Sequence, residues 1–301
     1  MVYNLNLNYI NSVGESILHF FNPNLKYEQR ITRNWFLIQP IPVFIISFIY
    51  ITFLIVSYIY INYNISNENK KKLTTSQKQV ADASKNAKSN NATNSNATGS
   101  ILQQVVPIYN LIQFALSFII LVFVIYEGKK RNFYFYYNEF DASRKEIAFW
   151  CWIFYLNKVI DFFDTILIVL KKKWNQFSLL HTYHHFTVFI IMWINTAVGY
   201  DGDISYIIGV NSFVHCVMYF YYFLTSIKVR VPLLFKASVT YIQIVQFFSI
   251  IIPDIPIVYL NYKTPYPKRL IELSFYYTIS LLILFLHFAY NTYFRTKLKK
   301  A

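Results

Sequence analysis

Long apolar runs separated by short polar stretches dominate the chain. A helix that spans a bilayer needs about 20 mostly apolar residues. Seven segments of the chain meet this requirement, namely residues 37–61, 105–126, 147–170, 178–199, 204–227, 234–258 and 270–293. Hydrophobic residues make up 55% of the chain and charged residues only 14%, whereas soluble domains carry about 25% charged residues. The pattern predicts an all-α integral membrane protein with seven transmembrane helices.

The stretch between the first two apolar runs has a different composition. Residues 62–104 are rich in Asn, Ser and Lys and lack apolar periodicity, a composition typical of disordered segments. We therefore expect a disordered insert between the first transmembrane helix, residues 37–61, and a six-helix core, residues 105–294. An N-terminal segment, residues 1–36, and a basic tail, residues 295–301, complete the organisation.

The net charge of +14 changes this picture only in its details. The lysines cluster between apolar runs, which fits membrane flanks, anionic lipid or a phosphate-bearing substrate better than nucleic acid. The Lys and Arg residues of the loops favour a cytosolic C-terminus, although the excess comes from the insert. The final residues KLKKA resemble a dilysine signal for the endoplasmic reticulum. An ordinary basic flank would look the same.

Three histidines lie close together in an otherwise apolar run. His181, His184 and His185 occupy positions i, i+3 and i+4, so all three share one face of a helix. Polar rings are costly in hydrocarbon, and ionisable groups within a membrane helix usually mark a function. We therefore take this cluster as the candidate active site.

The neighbouring predicted helices also carry polar stripes. A buried polar group without a partner costs about 1–3 kcal/mol, so we expect these stripes to face one shared, partly wet interior. Single Thr and Gln residues could equally serve as contacts between helices. The stripes comprise Lys158, Asp161 and Thr165 with Asp164 at their border, then Asn211, His215, Met218 and Tyr222, and then Thr240, Gln243 and Gln246.

The histidines allow two kinds of chemistry. His181 and His185 have the spacing of the two histidines in a zinc-binding HExxH helix, but the Glu of that motif is absent. Without a metal, an imidazole can act as a nucleophile or a general base towards a thioester. Asp161 and Asp164 could then hold the rings in the correct tautomer. We expect no metal and no other cofactor.

Four motifs together resemble the ELO family of very-long-chain fatty acid elongases, the 3-oxoacyl-CoA synthases. Residues 158–165 resemble the family's KxxExxDT motif, with Asp161 in place of its Glu. Residues 181–185 match HxxHH, residues 211–222 match the first twelve positions of NxxxHxxMYxxYY, and residues 240–246 match TxxQxxQ. They occur in the family's order and at plausible separations. The Asn-rich insert is not a feature of the family.

The resemblance implies a condensing enzyme of fatty acid elongation. Such an enzyme joins a long-chain acyl-CoA to malonyl-CoA and releases CO2 and CoA. Its fold has seven helices, six of which enclose a substrate tunnel that opens towards the cytosol. We expect a multi-pass protein of the endoplasmic reticulum membrane with a cytosolic C-terminus, in contact with membrane lipid and with other enzymes of the elongation cycle. A homodimer is compatible with this reading, and no nucleic acid is expected.

The resemblance also implies a role for each motif residue. His184, the middle histidine of its motif, is the expected nucleophile and would form an acyl-imidazole. His181, His185 and His215, with Asp161 and Asp164, would orient groups, move protons or stabilise oxyanions. The residues expected to bind substrate are Lys158, Asn211, Tyr219, Tyr222, Lys236, Thr240, Gln243 and Gln246.

Two other classes of protein stay open at this point. A membrane di-iron desaturase or hydroxylase needs three His-rich motifs, and this chain has only six histidines, of which His19 and His287 stand alone. A seven-helix receptor usually has a loop disulfide, but Cys151 and Cys216 lie within or at the edge of apolar helices. Both alternatives therefore fit the sequence less well.

Overall fold

The computed structural model describes residues 2–81 and 97–294, and every regular element within them is helical. The all-α prediction is therefore confirmed for this part of the chain. Short 3₁₀ turns at Tyr27–Gln29 and Trp174–Gln176 and a π turn at Tyr290–Phe294 join or extend the longer helices. These α-helices are α1 (Val2–Phe21), α2 (Pro40–Ala81), α3 (Ala97–Lys130), α4 (Lys145–Ile160), α5 (Phe162–Leu170), α6 (Leu179–Val198), α7 (Ile204–Ser226), α8 (Leu233–Tyr259) and α9 (Lys268–Ala289).

Within the described residues, five helices are long and apolar enough to cross a membrane. Their outer surfaces expose large apolar side chains such as Phe48, Ile49 and Ile283, as expected where lipid rather than water surrounds the protein. The chain is therefore a multi-pass membrane protein. The five candidate spans are Pro40–Asn67, Ile101–Lys130, Ile204–Ser226, Leu234–Tyr259 and Lys268–Tyr293.

The other two predicted spans differ from simple apolar helices. The predicted third span divides at Asp161 into α4 and α5. The N–H of Asp161 still bonds to the carbonyl of Asn157, but the N–H of Asp164 bonds to the carbonyl of Asp161, three residues back, so the chain makes a turn between the two helices. Each part is shorter than a single spanning helix. The predicted fourth span, α6, has 20 residues but carries the three histidines. By length and hydropathy, five of the described helices therefore qualify as candidate spans, and the predicted count of seven remains a proposal.

Six helices pack against one another in a closed ring. Around this ring, α3 packs on α7, α7 on α8, α8 on α9, α9 on α6, α6 on α4 and α4 on α3. Helix α2 lies outside the ring, against α5 and α6, and α1 contacts α2, α6 and α9. The observed packing therefore separates the first apolar helix from the other six.

The two ends of the ring are distinct. The end that contains residues 171–178, which lead into the histidines of α6, is called the histidine end. The opposite end, the far end, contains the loops at residues 131–144, 199–203 and 260–267. These far-end loops touch one another, because the N–H of Phe140 bonds to the carbonyl of Pro265.

Asp201 holds the far-end loops together. Its carboxylate lies 3.4 Å from the guanidinium of Arg131 and 3.3 Å from that of Arg144, and its side chain is fully buried. Burial raises the pKa of Asp201 to about 6, so the carboxylate remains ionised at neutral pH. Next to it, Tyr200 donates a hydrogen bond to the carbonyl of Ala142 at 2.9 Å. These bonds join two loops that are distant in sequence.

Helix continues into the predicted insert from both sides. Helix α2 extends to Ala81 and α3 begins at Ala97, whereas residues 62–104 were expected to lack regular structure. Extending an existing helix avoids the cost of nucleation, and Lys, Gln and Ala are good helix formers. Residues 82–96, in the middle of the predicted insert, and the predicted tail, residues 295–301, lie outside the described residues.

Gly202 provides a test of the far-end packing. Its φ is +76°, and a Cβ at this position would lie 2.9 Å from the carbonyl oxygen of Asn138. We expect Gly202→Ala to lower the free energy of unfolding by about 1–3 kcal/mol, because the new methyl group strains both the backbone and the loop contact. Thermal unfolding of the purified protein in detergent measures the effect.

The matched control is Gly209→Ala in α7. A Cβ at Gly209 would meet Val124 at 3.7 Å, an ordinary contact, and Ala is the better helix former. The control should therefore unfold at the same or a slightly higher temperature. Equal destabilisation by the two substitutions would contradict the role given to Gly202.

Candidate active site

The start of α6 sets the positions of the three histidines. Ser178 precedes the helix, and its hydroxyl accepts a hydrogen bond from the N–H of His181 at 3.2 Å, the usual way of satisfying a free N–H at a helix start. The ring centroids of His181 and His185 are 4.3 Å apart, and those of His184 and His185 are 5.5 Å apart. The structure therefore brings the predicted histidines into one cluster.

Each histidine has a different environment. His181 Nε2 lies 3.0 Å from the hydroxyl of Thr165, and His184 Nδ1 lies 3.2 Å from the hydroxyl of Tyr277. Thr165 is itself 2.9 Å from the hydroxyl of Tyr50. The buried ring of His185 leaves Nδ1 without a hydrogen-bond partner among the described residues. Hydroxyl groups of α5 and α9 therefore orient two of the three rings.

The carboxylates form a separate network. Lys158 Nζ lies 3.0 Å from Asp161 Oδ2, and both side chains are almost fully buried. Asp161 Oδ1 accepts hydrogen bonds from Gln113 Nε2 at 2.6 Å and from the Tyr219 hydroxyl at 3.4 Å. The same Tyr219 hydroxyl donates to Asp164 Oδ2 at 2.8 Å. The network thus ties α3, α4, α5 and α7 together.

This network differs from the expected role of the two carboxylates. The sequence predicts that Asp161 and Asp164 hold the histidine rings, but within the described residues their hydrogen bonds go to Lys158, Gln113 and Tyr219. The shorter side chain at position 161 still reaches Lys158, since the two residues sit three positions apart at the end of α4.

Helix α7 adds His215 and Tyr219 to the interior. Their rings meet edge to face, with centroids 5.6 Å apart. His215 Nδ1 and Asn211 Oδ1 are buried and have no hydrogen-bond partner in the part of the chain that the structure describes. Tyr222 lies further out, with 42% of its surface exposed. The α7 stripe therefore runs from the interior towards the rim of the ring.

The predicted residues of α8 lie apart from the histidines. The Thr240 hydroxyl is 3.1 Å from the Tyr293 hydroxyl, and Gln243 Nε2 approaches the Met218 sulfur at 3.9 Å. Gln246 is buried, and Lys236 is exposed near the start of the helix. The α8 stripe thus contacts α7 and the end of α9.

Several polar atoms of the interior remain available to a ligand. A buried polar atom without a partner costs about 1–3 kcal/mol, so such atoms indicate a place where a polar group of a ligand can bind. Helices α3, α4, α6 and α7 contain buried polar atoms of this kind, which have no partner among the described residues. They are Gln113 Oε1, Asn157 Oδ1, His185 Nδ1, Asn211 Oδ1, Ser212 Oγ and His215 Nδ1.

A cavity of about 420 Å³ lies between α6 and α9, and it is open to the outside, where its lining residue Tyr276 is 56% exposed. Tyr277 lines it and also contacts His184, so the cavity adjoins the histidine cluster. A hydrogen bond of 2.8 Å between the hydroxyls of Tyr183 and Ser280 crosses it from one helix to the other. The lining is mainly aromatic and aliphatic, and consists of Tyr183, Phe186, Thr187, Ile190, Ile191, Leu273, Tyr276, Tyr277 and Ser280.

Three residues of this site were not predicted from the sequence. Gln113 lies in an apolar run with Asn110 three residues before it and Ser117 four residues after it, a short polar stripe that could have been followed. Tyr50 and Tyr277 are two of 27 tyrosines, and their spacing does not distinguish them from the others. Their importance depends on which helices are neighbours, and this is set by the tertiary structure.

The described residues also bear on the metal question. Within residues 2–81 and 97–294, no three His, Cys, Asp or Glu side chains come together as a set of metal ligands. The expectation that the protein uses no metal or other cofactor stays a prediction. Cys151 and Cys216 are both free and buried.

The fold and the site together define a class, a multi-pass helical membrane protein with a histidine cluster inside its ring of helices. Comparison with known families then gives the particular family. The chain belongs to the family described as ELO: GNS1/SUR4 family, whose model matches residues 35–301. The resemblance inferred from the four motifs is therefore confirmed.

Curated relatives support the same assignment. "Fatty acid elongase 6" of Leishmania major is 38% identical over 149 residues, 47% of this chain and 39% of that protein. The human "Very long chain fatty acid elongase 4" is 35% identical over 157 residues, 52% of this chain and 49% of that protein. "Fatty acid elongase 4" of Trypanosoma brucei brucei is 34% identical over 195 residues, 64% of this chain and 73% of that protein. The chain thus spans half or less of the length of the first two.

The buried ion pair gives a test of the site's construction. We expect Lys158→Met to lower the free energy of unfolding by about 3–5 kcal/mol, because it leaves Asp161 buried without its cation. Asp161→Asn should also destabilise the protein. The double variant should lose less than the sum of the two single losses, since it removes both charges. Thermal unfolding in detergent of the three variants forms a double-mutant cycle, and simple additivity would contradict the pairing.

Proposed function

We propose that this protein is the condensing enzyme of fatty acid elongation, an acyltransferase. It joins a long-chain acyl-CoA and malonyl-CoA to give a 3-oxoacyl-CoA, CoA and CO2. The observation that carries this proposal is the cluster of His181, His184 and His185 beside a largely apolar cavity, in a chain of the ELO family. The relatives' names, fatty acid elongases, agree with it.

His184 is the proposed nucleophile. If its Nδ1–H donates to the Tyr277 hydroxyl, the lone pair on Nε2 is free to attack the thioester carbonyl. The acyl–sulfur bond breaks, CoA leaves as a thiol after taking up a proton, and the acyl group remains on the imidazole. Malonyl-CoA then loses CO2, and the resulting enolate attacks the acyl carbonyl and displaces the imidazole. His181, His185 and His215 orient the reacting groups, move protons or stabilise the oxyanion.

The cavity suits the hydrocarbon part of the substrate. Burial of each CH2 group contributes about 0.8 kcal/mol, and the aliphatic and aromatic lining of the cavity between α6 and α9 supplies apolar surface next to Tyr277. The unpaired polar atoms of the interior, such as His215 Nδ1 and Asn211 Oδ1, suit the polar acyl carbonyl and malonyl groups.

We further propose seven spans, six of which enclose a substrate tunnel. The closed ring of six helices supports this arrangement. Helix α6, with 20 residues, reaches about 30 Å, enough to cross the hydrocarbon core of a bilayer. The joined length of α4 and α5, Lys145–Ile160 and Phe162–Leu170, is similar.

The histidine end is the proposed cytosolic face of an endoplasmic reticulum protein. Its segments at residues 171–178 and 227–236 carry basic residues without any Asp or Glu, so they suit the phosphates of CoA. Malonyl-CoA and acyl-CoA would reach the histidines from this side. These basic residues are Lys171, Lys172, Lys173, Lys228, Arg230 and Lys236.

The chemistry of the product implies partner enzymes. A 3-oxoacyl-CoA must be reduced, dehydrated and reduced again before another round of condensation, so reductases and a dehydratase of the same membrane are proposed partners. Membership of the ELO family does not favour the di-iron oxygenase or the seven-helix receptor.

Substitution of His184 tests the mechanism. We expect purified His184→Ala to lose about 10³-fold or more of the activity, because the variant cannot form the acyl-imidazole. Labelled malonyl-CoA and a panel of acyl-CoAs of different lengths measure the 3-oxoacyl product. With acyl-CoA alone, mass spectrometry should detect an acylated wild-type protein and an unmodified variant.

The control for this experiment is His287→Ala. His287 lies in the last turn of α9, where its ring bonds to Asn291, and it is isolated from the histidine cluster in sequence. This variant should retain its activity. Wild-type rates in His184→Ala would refute the assignment of the nucleophile.

Tyr277→Phe tests how His184 is oriented. The substitution keeps the ring in the cavity but removes the hydroxyl that contacts His184 Nδ1. We expect kcat to fall about 10- to 100-fold with KM nearly unchanged, because substrate binding is retained and tautomer control is lost. Tyr276→Phe, on the same cavity wall, should behave like the wild type. Equal losses in the two variants would show that the hydroxyl of Tyr277 has no special role.

A further inference from the structure

Helix α1 lies outside the region that the family model matches, which begins at residue 35. Its surface divides into three sectors. Gly14 and Leu18 are buried against the rest of the protein. A second sector exposes apolar side chains, with Tyr9 72%, Val13 39% and Phe20 55% exposed. A third sector consists of exposed polar residues, Asn8, Ser12 and His19, and Ser16 lies at its border with the apolar sector.

The contacts of α1 are made at the ends of membrane helices. A Cβ on Gly14 would overlap Pro40, the first residue of the span Pro40–Asn67. Arg269, the second residue of the span Lys268–Tyr293, donates a hydrogen bond to the carbonyl of Phe20. These two contact points of α1 are six residues, or about 9 Å, apart along its axis, yet each meets the very start of a span.

A third contact fixes the other end of α1 at the same level. Asn22, directly after the helix, donates a hydrogen bond of 2.8 Å to the carbonyl of Val198, the last residue of α6. All three contacts therefore lie at the far end, at the boundary between the spans and their loops. Helix α1 runs across the helix ends there instead of along the helices.

This placement decides what the exposed apolar sector meets. Tyr9, Val13 and Phe20 lie on the side of α1 that the protein leaves uncovered, at the depth where the spans begin. The guanidinium of Arg269 lies over the Phe20 ring at 4.3 Å, an arrangement of a basic and an aromatic side chain suited to a membrane interface.

We propose that α1 is an interfacial helix that lies flat in the headgroup region of the bilayer at the far end. Tyr9, Val13 and Phe20 insert among the upper parts of the lipid acyl chains, and Ser12 and His19 face water. A helix with separate apolar and polar faces binds a membrane surface in this way. The occupant of the exposed sector is the bilayer that already surrounds the spans, so the lipid-facing surface of the protein is continuous with α1.

Depth-dependent fluorescence quenching tests the proposal on the full-length protein in phosphatidylcholine vesicles. Single cysteines are introduced by Val13→Cys and Ser12→Cys, on the apolar and polar sectors of α1. Ile49→Cys, 60% exposed in the middle of the first apolar run, serves as the deep reference. Each cysteine is labelled with an NBD fluorophore, and the unsubstituted protein, whose two cysteines are buried, gives the background.

Three quenchers report the depth of each label. They are iodide in water, a lipid spin-labelled near the headgroup, and a lipid spin-labelled at the middle of its acyl chain. We expect the shallow lipid quencher to act about twofold more strongly than the deep one at position 13. Iodide should act most strongly at position 12, and the deep quencher at position 49.

Each other result at position 13 would overturn the proposal. Quenching by iodide as strong as at position 12 would place α1 in water. Strongest quenching by the deep lipid would place it in the hydrocarbon core, and protection from all three quenchers would mean that protein, such as a second copy of the chain, covers this sector.

A second measurement avoids any effect of the substitutions. A lipid with a photoreactive group near its headgroup is crosslinked to the unsubstituted protein, and the modified peptides are identified by mass spectrometry. Crosslinks to Tyr9, Val13 or Phe20 support the proposal. Crosslinks confined to the spans would count against it.

Discussion

The structure depends on one constraint, that polar side chains inside a ring of membrane helices must find their partners within that ring. Water cannot solvate them there, and an isolated buried charge costs several kcal/mol. Lys158 and Asp161 meet this constraint as an ion pair, and Gln113 and Tyr219 satisfy the remaining carboxylate lone pairs. Because these residues come from three different helices, the pair also fixes how those helices pack.

The interior contains two polar systems with different properties. The carboxylate network is largely satisfied, and its short bonds make it suited to hold α3, α4 and α7 in register. The histidine cluster is only partly satisfied, since His181 and His184 each bond a hydroxyl and His185 Nδ1 bonds nothing within the described residues. The two systems meet at Asp161, between α4 and α5 and one turn before Thr165. A rigid network thus supports a set of rings that remain free to act on a ligand.

The two ends of the ring have correspondingly different roles. At the far end, the ion pairs of Asp201 and the bonds of Tyr200 and Tyr266 tie the loops to one another. The contacts of α1 add to this closure through Asn22 and Arg269. The histidine-end segments at residues 171–178 and 227–236 carry basic residues and no Asp or Glu, whereas the arginines of the far end pair with carboxylates. An enzyme of the proposed kind needs this asymmetry, because charged CoA must enter from water while the acyl chain must stay in an apolar surrounding.

The sequence by itself determined the features that depend on short spacing along one helix. The apolar runs indicated the membrane helices, and positions i, i+3 and i+4 placed His181, His184 and His185 on one face, because the helical period is fixed by the backbone. Only the tertiary structure decided that Tyr277 orients His184 and that Gln113 binds Asp161. It also decided that the third predicted span breaks at Asp161 and that helix continues to Ala81. These features depend on which helices become neighbours and on which buried groups then compete for the same partner. The spacing of residues within a single helix does not contain this information.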